Sequence, residues 1–272
     1  MLWEMDKTYG LPVVFVEQLQ CAADNVLDNR ADCLGLMCGR ERRGKSTLET
    51  LIARVFADRL HTEIDLKRDY HYDLIDFTDD CRLVTYPDNG NAMYPKKGGK
   101  HYVKIYDEPV LGANARKWSS KGNILLNQTF AAIGYKYLVM LAGIPNFFML
   151  DNMVREHRVA FMCLVDSVVD EKTGLIEKGY FSLYNGKAVR KIYRDKETRQ
   201  IHYPKTKFTD MRFQSLEGTQ FWQQYEHYSA QAKNDQIMQL SNDAKNIRNE
   251  QLKAAKKLDK EMAKEAGEPD GG

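Results

Sequence analysis

The sequence lacks any apolar run long enough to cross a bilayer. Its longest, 137–150 (YLVMLAGIPNFFML), contains Pro145 and Asn146 and falls short of the roughly 20 residues a spanning helix needs. No membrane span is expected. Excess charge is also missing. The formal net charge is +2, from 40 basic and 38 acidic residues, so bulk charge makes no case for nucleic acid and any basic contact surface must be local. Cysteines are few and odd in number: Cys21, Cys33, Cys38, Cys81 and Cys163, with no C-x-x-C pair. That pattern argues against a disulfide framework and a zinc site, and for reduced thiols in a cytoplasmic protein. The N-terminal MLWEMDKTYG carries acids and has no basic region before an apolar stretch, so no signal peptide is expected. There is no internal repeat. A chain of 272 residues that is 43% hydrophobic can bury one sizeable core with an appendage.

Against these absences stands one dense motif. An apolar run, 33–38 (CLGLMC), enters Gly39-Arg40-Glu41-Arg42-Arg43-Gly44-Lys45-Ser46, followed by Thr47. This is the G-x-x-x-x-G-K-[ST] phosphate-binding loop. The two glycines let consecutive N–H groups face one anion. Lys45 supplies a point charge for the β- and γ-phosphates of a nucleoside triphosphate such as ATP, and the Ser46 hydroxyl can ligate Mg2+. Leu48, Leu51, Ile52, Val55, Phe56 and Leu60 then recur at helical spacing, so a helix leaves the loop and turns its positive end to the phosphates. Residues 39–47 are the expected nucleotide-binding set.

Residues 13–27 have helical periodicity and predict a helix packed on the core. The alternation in 70–77 predicts a strand, and 79–100 reads as a loop rich in breakers. A strand over 101–106 ends in Asp107-Glu108 about sixty residues after Lys45. In phosphate-loop hydrolases such a strand-end Asp fixes Mg2+ through water, and the adjacent Glu polarises the attacking water. Asp107 is the expected metal residue beside Ser46, and Glu108 the expected catalytic base. The segment 111–122 places Arg116, Lys117 and Lys121 around Trp118, which suits either a solvated loop or a nucleic-acid backbone. Then follow a helical 123–134, a strand at 137–142, a short helix at 150–156 and a strand at 159–165. Strands this apolar, alternating with helices, predict a mostly parallel α/β sheet covered on both faces, with its ligands at the carboxyl ends of the strands. Turn signals at 171–174, 185–186 and 195–198 predict antiparallel hairpins, with strands at 179–184, 188–193 and 200–203. The connector 208–216 leads to a long polar helix from 219 to about 265.

A strand ending Asp-Glu, a helix containing Asn127 and a strand closing in Ile144-Pro145-Asn146 resemble the additional-strand, RecA-like group of phosphate-loop ATPases. Within that group, IPNFFMLDNMVREHRVAFM (144–162) is similar to the pattern of zonular-occludens-toxin-like ATPases, relatives of FtsK/HerA DNA-translocating motors from viruses, plasmids and archaeal mobile elements. FWQQYE (221–226) is similar to archaeal and viral members. The resemblance covers roughly 13–165. It implies a RecA-like fold, and the pattern along the chain divides it into an N-terminal helix (1–30), the ATPase core (31–165), a hairpin extension (166–216) and a helical tail (217–272).

It also implies Mg2+-dependent ATP hydrolysis driving DNA translocation or packaging, on single- or double-stranded DNA, by a homo-oligomeric ring, with a hexamer among the sizes allowed. A membrane-bound or capsid partner would fit, as would a place in a host cytoplasm or virion. Lys45 and Glu108 would be catalytic, and Arg155 or Arg158 the arginine finger reaching a neighbour's γ-phosphate. Asn127 and Asn146 are candidate polar sensors. Two other classes stay open: a phosphate-loop nucleotide or nucleoside kinase with 69–73 (DYHYD) serving the acceptor, and a slow ATP switch acting on a partner protein through the C-terminal helix. The paired Asp107-Glu108 counts against the kinase, which gains by excluding water. The three arginines inside the loop fit either extra phosphate contacts or nucleic acid.

Overall fold

A computed structural model of the chain describes residues 3–29, 31–83, 103–107, 124, 127–130, 138–169, 174 and 176–265. Two short strands, β1 (Met5–Asp6) and β2 (Leu11–Pro12), pair antiparallel ahead of helix α1 (Val13–Asn29). Next come β3 (Cys33–Cys38), α2 (Lys45–Arg59), α3 (Leu66–Asp69), β4 (Tyr70–His71), α4 (Leu74–Leu83), β5 (Val103–Tyr106) and β6 (Val139–Ile144). A 3-10 turn (Phe147–Met149), α5 (Asn152–His157), β7 (Val159–Val169), β8 (Ile176–Asn185) and α6 (Gly186–Val189) follow. The chain continues through β9 (Tyr193–Arg194), β10 (Ile201–His202), β11 (Met211–Arg212) and α7 (Gln220–Glu265).

The protein is α/β. Seven strands form the central sheet in the order β11-β8-β7-β3-β6-β5-β4, with helices and antiparallel strands around it. The five strands from β7 to β4 run parallel, while β8 and β11 add antiparallel to one side. All six residues of β3 and of β6 are buried, as strands covered on both faces must be. Leu34, Leu36 and Cys38 share one core with Met140, Ala142, Ile144 and Phe147; no residue of α2 belongs to that core. On the other face, α2 packs on β3, β5 and β6 with Leu48, Leu51, Ile52, Val55, Phe56 and Leu60 at most 2% exposed. Burying each of these side chains contributes about 2 kcal/mol relative to leaving it in water. The helical spacing in the sequence therefore reports the face that holds α2 down.

Local capping overrides pattern in two places. Of the strand expected at 70–77, only Tyr70 and His71 pair with β5. The Asp73 carboxylate accepts from the N–H groups of Ile75 (2.7 Å) and Asp76 (3.2 Å), which starts α4. The same effect displaces the hairpin expected at Asn185-Gly186. The Asn185 side chain caps Ala188 N–H at 2.9 Å, so α6 forms where 188–193 was expected to be strand, and only Tyr193 and Arg194 remain extended there. The connector 208–216 contributes β11, which pairs with β8. Residues 84–102, 108–123, 131–137 and 170–173, and with them the expected loop 111–122, lie outside the described residues.

The chain divides into two units, one ending at Tyr225 and one beginning at Glu226. In the second, α7 runs on to Glu265 as a polar helix on which Ile237, Met238 and Leu252 are exposed. Among the described residues, no helix is long and apolar enough to cross a membrane.

Candidate active site

The loop between β3 and α2 is held open by its backbone. Gly44 precedes the helix with φ 97°, and Gly39 has φ 153°, where a Cβ would meet the Val165 carbonyl oxygen at 2.3 Å. Both positions demand glycine. Arg42 takes a left-handed φ of 58°, a conformation that costs about 1 kcal/mol in a residue with a Cβ. The loop turns at Glu41 and Arg42, and among the described residues the amides of Arg40, Glu41, Arg42 and Gly44 enter no hydrogen bond. Consecutive free N–H groups at a helix N-terminus form an anion-binding concavity. Lys45, only 3% exposed, folds back over it, and its Nζ donates to the carbonyl oxygens of Gly39 (3.1 Å) and Arg40 (3.0 Å).

Across from this loop, β5 delivers Asp107. Its N–H donates to the His71 carbonyl at 3.0 Å, continuing the strand pairing with β4, and its side chain is fully buried. The Ser46 hydroxyl donates to Asp107 Oδ1 at 3.0 Å, joining residues 61 apart in sequence. Strand β6 lies between β3 and β5, and its Gly143 leaves the room these groups need. A Cβ there would sit 2.2 Å from Glu49 Oε1 and 3.4 Å from Asp107 Oδ1. Glu49 is fully buried one turn along α2 from Ser46. A hydroxyl and carboxylates are hard oxygen donors of the kind Mg2+ takes.

No family model, curated protein or solved structure matches the chain.

One participant was not expected from the sequence. At the start of α7, the Tyr225 hydroxyl donates to Asp107 Oδ2. Burial, then the nearby Asp107 charge, pushes this hydroxyl far above the ordinary tyrosine range, so it stays protonated and a donor. Tyr225 packs against Tyr70 (centroids 5.8 Å) and stacks on Trp222 (4.7 Å), while the Arg54 guanidinium lies 4.8 Å from the Phe221 ring centre. FWQQYE was legible as a segment of interest, but the contact is set by the fold.

The other expected residues distribute unevenly. Glu108 lies outside the described residues. Thr47 is buried in the first turn of α2, while Arg40, Glu41 and Arg42 are exposed. Arg158 donates to Asp32 Oδ2 (2.7 Å) and to the Phe130 carbonyl (3.2 Å). Asp32 precedes β3, so Arg158 lies about 20 Å from the loop, at the opposite end of that strand. Burial raises the Asp32 carboxyl above its usual range even with Arg158 beside it. Arg155 bonds the Asn152 side chain at 2.9 Å, and its guanidinium lies 4.6 Å from the Phe148 ring centre. Asn146 caps the 3-10 turn by accepting from Phe148 N–H, and Asn127 accepts from Asp151 N–H at 2.7 Å. The structure thus gathers Gly39 to Thr47 with Asp107, and leaves Arg158 and Asn127 elsewhere.

Proposed function

We propose that the chain is a Mg2+-dependent phosphate-loop ATPase of the RecA-like, additional-strand type. The observation that carries this reading is the Ser46–Asp107 hydrogen bond, which joins the loop's helix to the end of a strand two places away in the sheet. Strand β6 separates those two elements in the sheet. The free amides of the loop would take the β- and γ-phosphates, with Lys45 turning from its carbonyl partners to the γ-phosphate. Ser46 and Asp107 would hold Mg2+, which when bound neutralises charge on the phosphate oxygens. Glu108, next in the chain, would be the base that polarises water.

The resemblance of 144–162 extends the reading to DNA translocation or packaging by a homo-oligomeric ring. Of the two candidate fingers, Arg155 is favoured. It stands beside the turn that follows β6, whereas Arg158 is held by Asp32 at the other end of β3. The test is ATP hydrolysis by the purified protein with and without single- and double-stranded DNA, alongside its mass in solution. DNA-stimulated turnover in an oligomer supports the motor. Turnover that needs a small phosphoryl acceptor would replace it with a kinase, and ATP-dependent partner binding without turnover with a switch.

A further inference from the structure

Behind the phosphate loop, on the sheet face opposite α2, the strand ends line an open cleft of about 640 Å³. Three arginines line it: Arg40 and Arg43 from the loop, and Arg199 from the turn between β9 and β10. None of the three side chains has a hydrogen bond, ion pair or ring partner among the described residues. Arg42, the loop's third arginine, does not line it. The inner wall is apolar and aromatic, with Phe147 and Tyr203 both packed against the main core and Tyr203 lying 5.8 Å from the Tyr184 ring. Asp166, at the end of the exposed rim, is the single acid.

We propose that this cleft is a second ligand site, for a nucleoside monophosphate. Three arginines and one aspartate leave a local charge of +2. That matches a phosphate monoester, which carries about −1.5 to −2 at pH 7, better than the single charge of a diester in a strand. Planar guanidinium groups bind such oxygens bidentately. The volume exceeds what an inorganic phosphate needs and lies within the range of about 300–1,000 Å³ usual for small-molecule pockets. The Tyr203–Phe147 wall offers an aromatic surface to a base, and Asp166 accepts from a ribose hydroxyl or an exocyclic amine. The site uses the outer side chains of the loop, whereas the triphosphate reading uses its amides and Lys45. This divides the work of the loop's arginines: Arg40 and Arg43 serve the second ligand.

The test is calorimetric titration of the full chain with adenosine 5′-monophosphate, in wild type and in Lys45→Ala, Arg199→Gly and Arg199→Glu. Glycine at 199 removes the guanidinium and suits the left-handed φ of 58°, so this variant should fold; Glu adds charge reversal. Saturable binding tighter than about 1 mM is expected in wild type. It should persist within threefold in Lys45→Ala, and weaken at least about tenfold in both Arg199 variants. ATP binding should be lost in Lys45→Ala and unchanged in Arg199→Gly. No monophosphate binding, binding lost with Lys45 but not with Arg199, or equal competition by inorganic phosphate would each overturn the proposal. So would Arg199-dependent binding of oligo(dT) without binding of the mononucleotide. Should Lys45→Ala keep ATP binding, the phosphate-loop reading fails while the Arg199 comparison still decides the second site.

Discussion

Two buried lysines, one opening α2 and one on β5, have different partners among the described residues. Lys45, at the loop, is held by the carbonyl oxygens of Gly39 and Arg40, neutral acceptors from its own turn. Lys104, on β5 near the outer edge and 1% exposed, is held by Asp69 Oδ1 at 2.9 Å, Asp80 Oδ2 at 2.6 Å and the Arg68 carbonyl at 3.2 Å. Asp80 also bonds His71 Nε2 at 3.0 Å, and Asp69 pairs with Arg68 at 2.6 Å. Carbonyls position an ammonium without cancelling its charge, so a phosphate can displace them. Carboxylates cancel the charge and fix the ion in place. In the proposed function Lys45 exchanges its carbonyl partners for phosphate, whereas Lys104 keeps its carboxylates; in sequence Lys45 stands between Gly44 and Ser46, and Lys104 between Val103 and Ile105.

The comparison breaks most visibly at Lys104. Lys104→Ala strands two carboxylates, one of them fully buried, and should lower stability by about 3–5 kcal/mol in urea titration, with little effect on the ATP affinity of the molecules that remain folded. Lys45→Ala should do the reverse. Losing charge-assisted contacts to two phosphates weakens ATP at least about a hundredfold, and the melting temperature should move only a few degrees. If Lys45→Ala melts as low as Lys104→Ala, the contrast drawn here is wrong. Tyr225→Phe sharpens the picture on the metal side. Removing the donor on Asp107 Oδ2 should lower the Mg2+ concentration for half-maximal ATP binding about tenfold; a higher requirement would make Tyr225 a support for Asp107 instead of a competitor.

The smallest effect concerns pH at the Lys104 cluster. Burial pushes the Asp80 carboxyl up, but the hydrogen bonds from His71 and Lys104 outweigh it and hold the folded value below the ordinary one. A carboxyl depressed in the folded chain stabilises fully above its unfolded value of about 3.9, and that contribution is lost as pH falls through the folded value. Asp80→Asn should therefore cost about 1 kcal/mol at pH 7, with the gap from wild type closing below about pH 4. Equal unfolding midpoints at pH 7 would remove Asp80 from the account.

How far the sequence told this in advance depends on the length scale of each signal. The loop and α2 were legible because their requirements are local: two glycines at fixed offsets, then a 3.6-residue apolar period. Parallel strands β3, β6 and β7 were legible as apolar runs, and β5 by its place before Asp107. What failed was local competition. Asp73 and Asn185 cap helices with side chains, and alternation of apolar residues does not register that. What was invisible was long-range. Nothing near Lys104 in sequence announces Asp69 or Asp80, nothing near Asp107 announces Tyr225, and Arg158 looks like a finger until Asp32 is placed beside it. The cleft behind the loop belongs to the same class, since Arg199 meets Arg40 and Arg43 only through the fold.

The central claim is that Ser46 and Asp107 form one metal–nucleotide site, and a fluorescent ATP analogue titrated with Mg2+ and with EDTA tests it most directly. In wild type, affinity should rise at least about tenfold with Mg2+, and Asp107→Asn should abolish that gain while leaving metal-free binding nearly unchanged. Binding that ignores Mg2+ in wild type, or a Mg2+ gain that survives in Asp107→Asn, would contradict it.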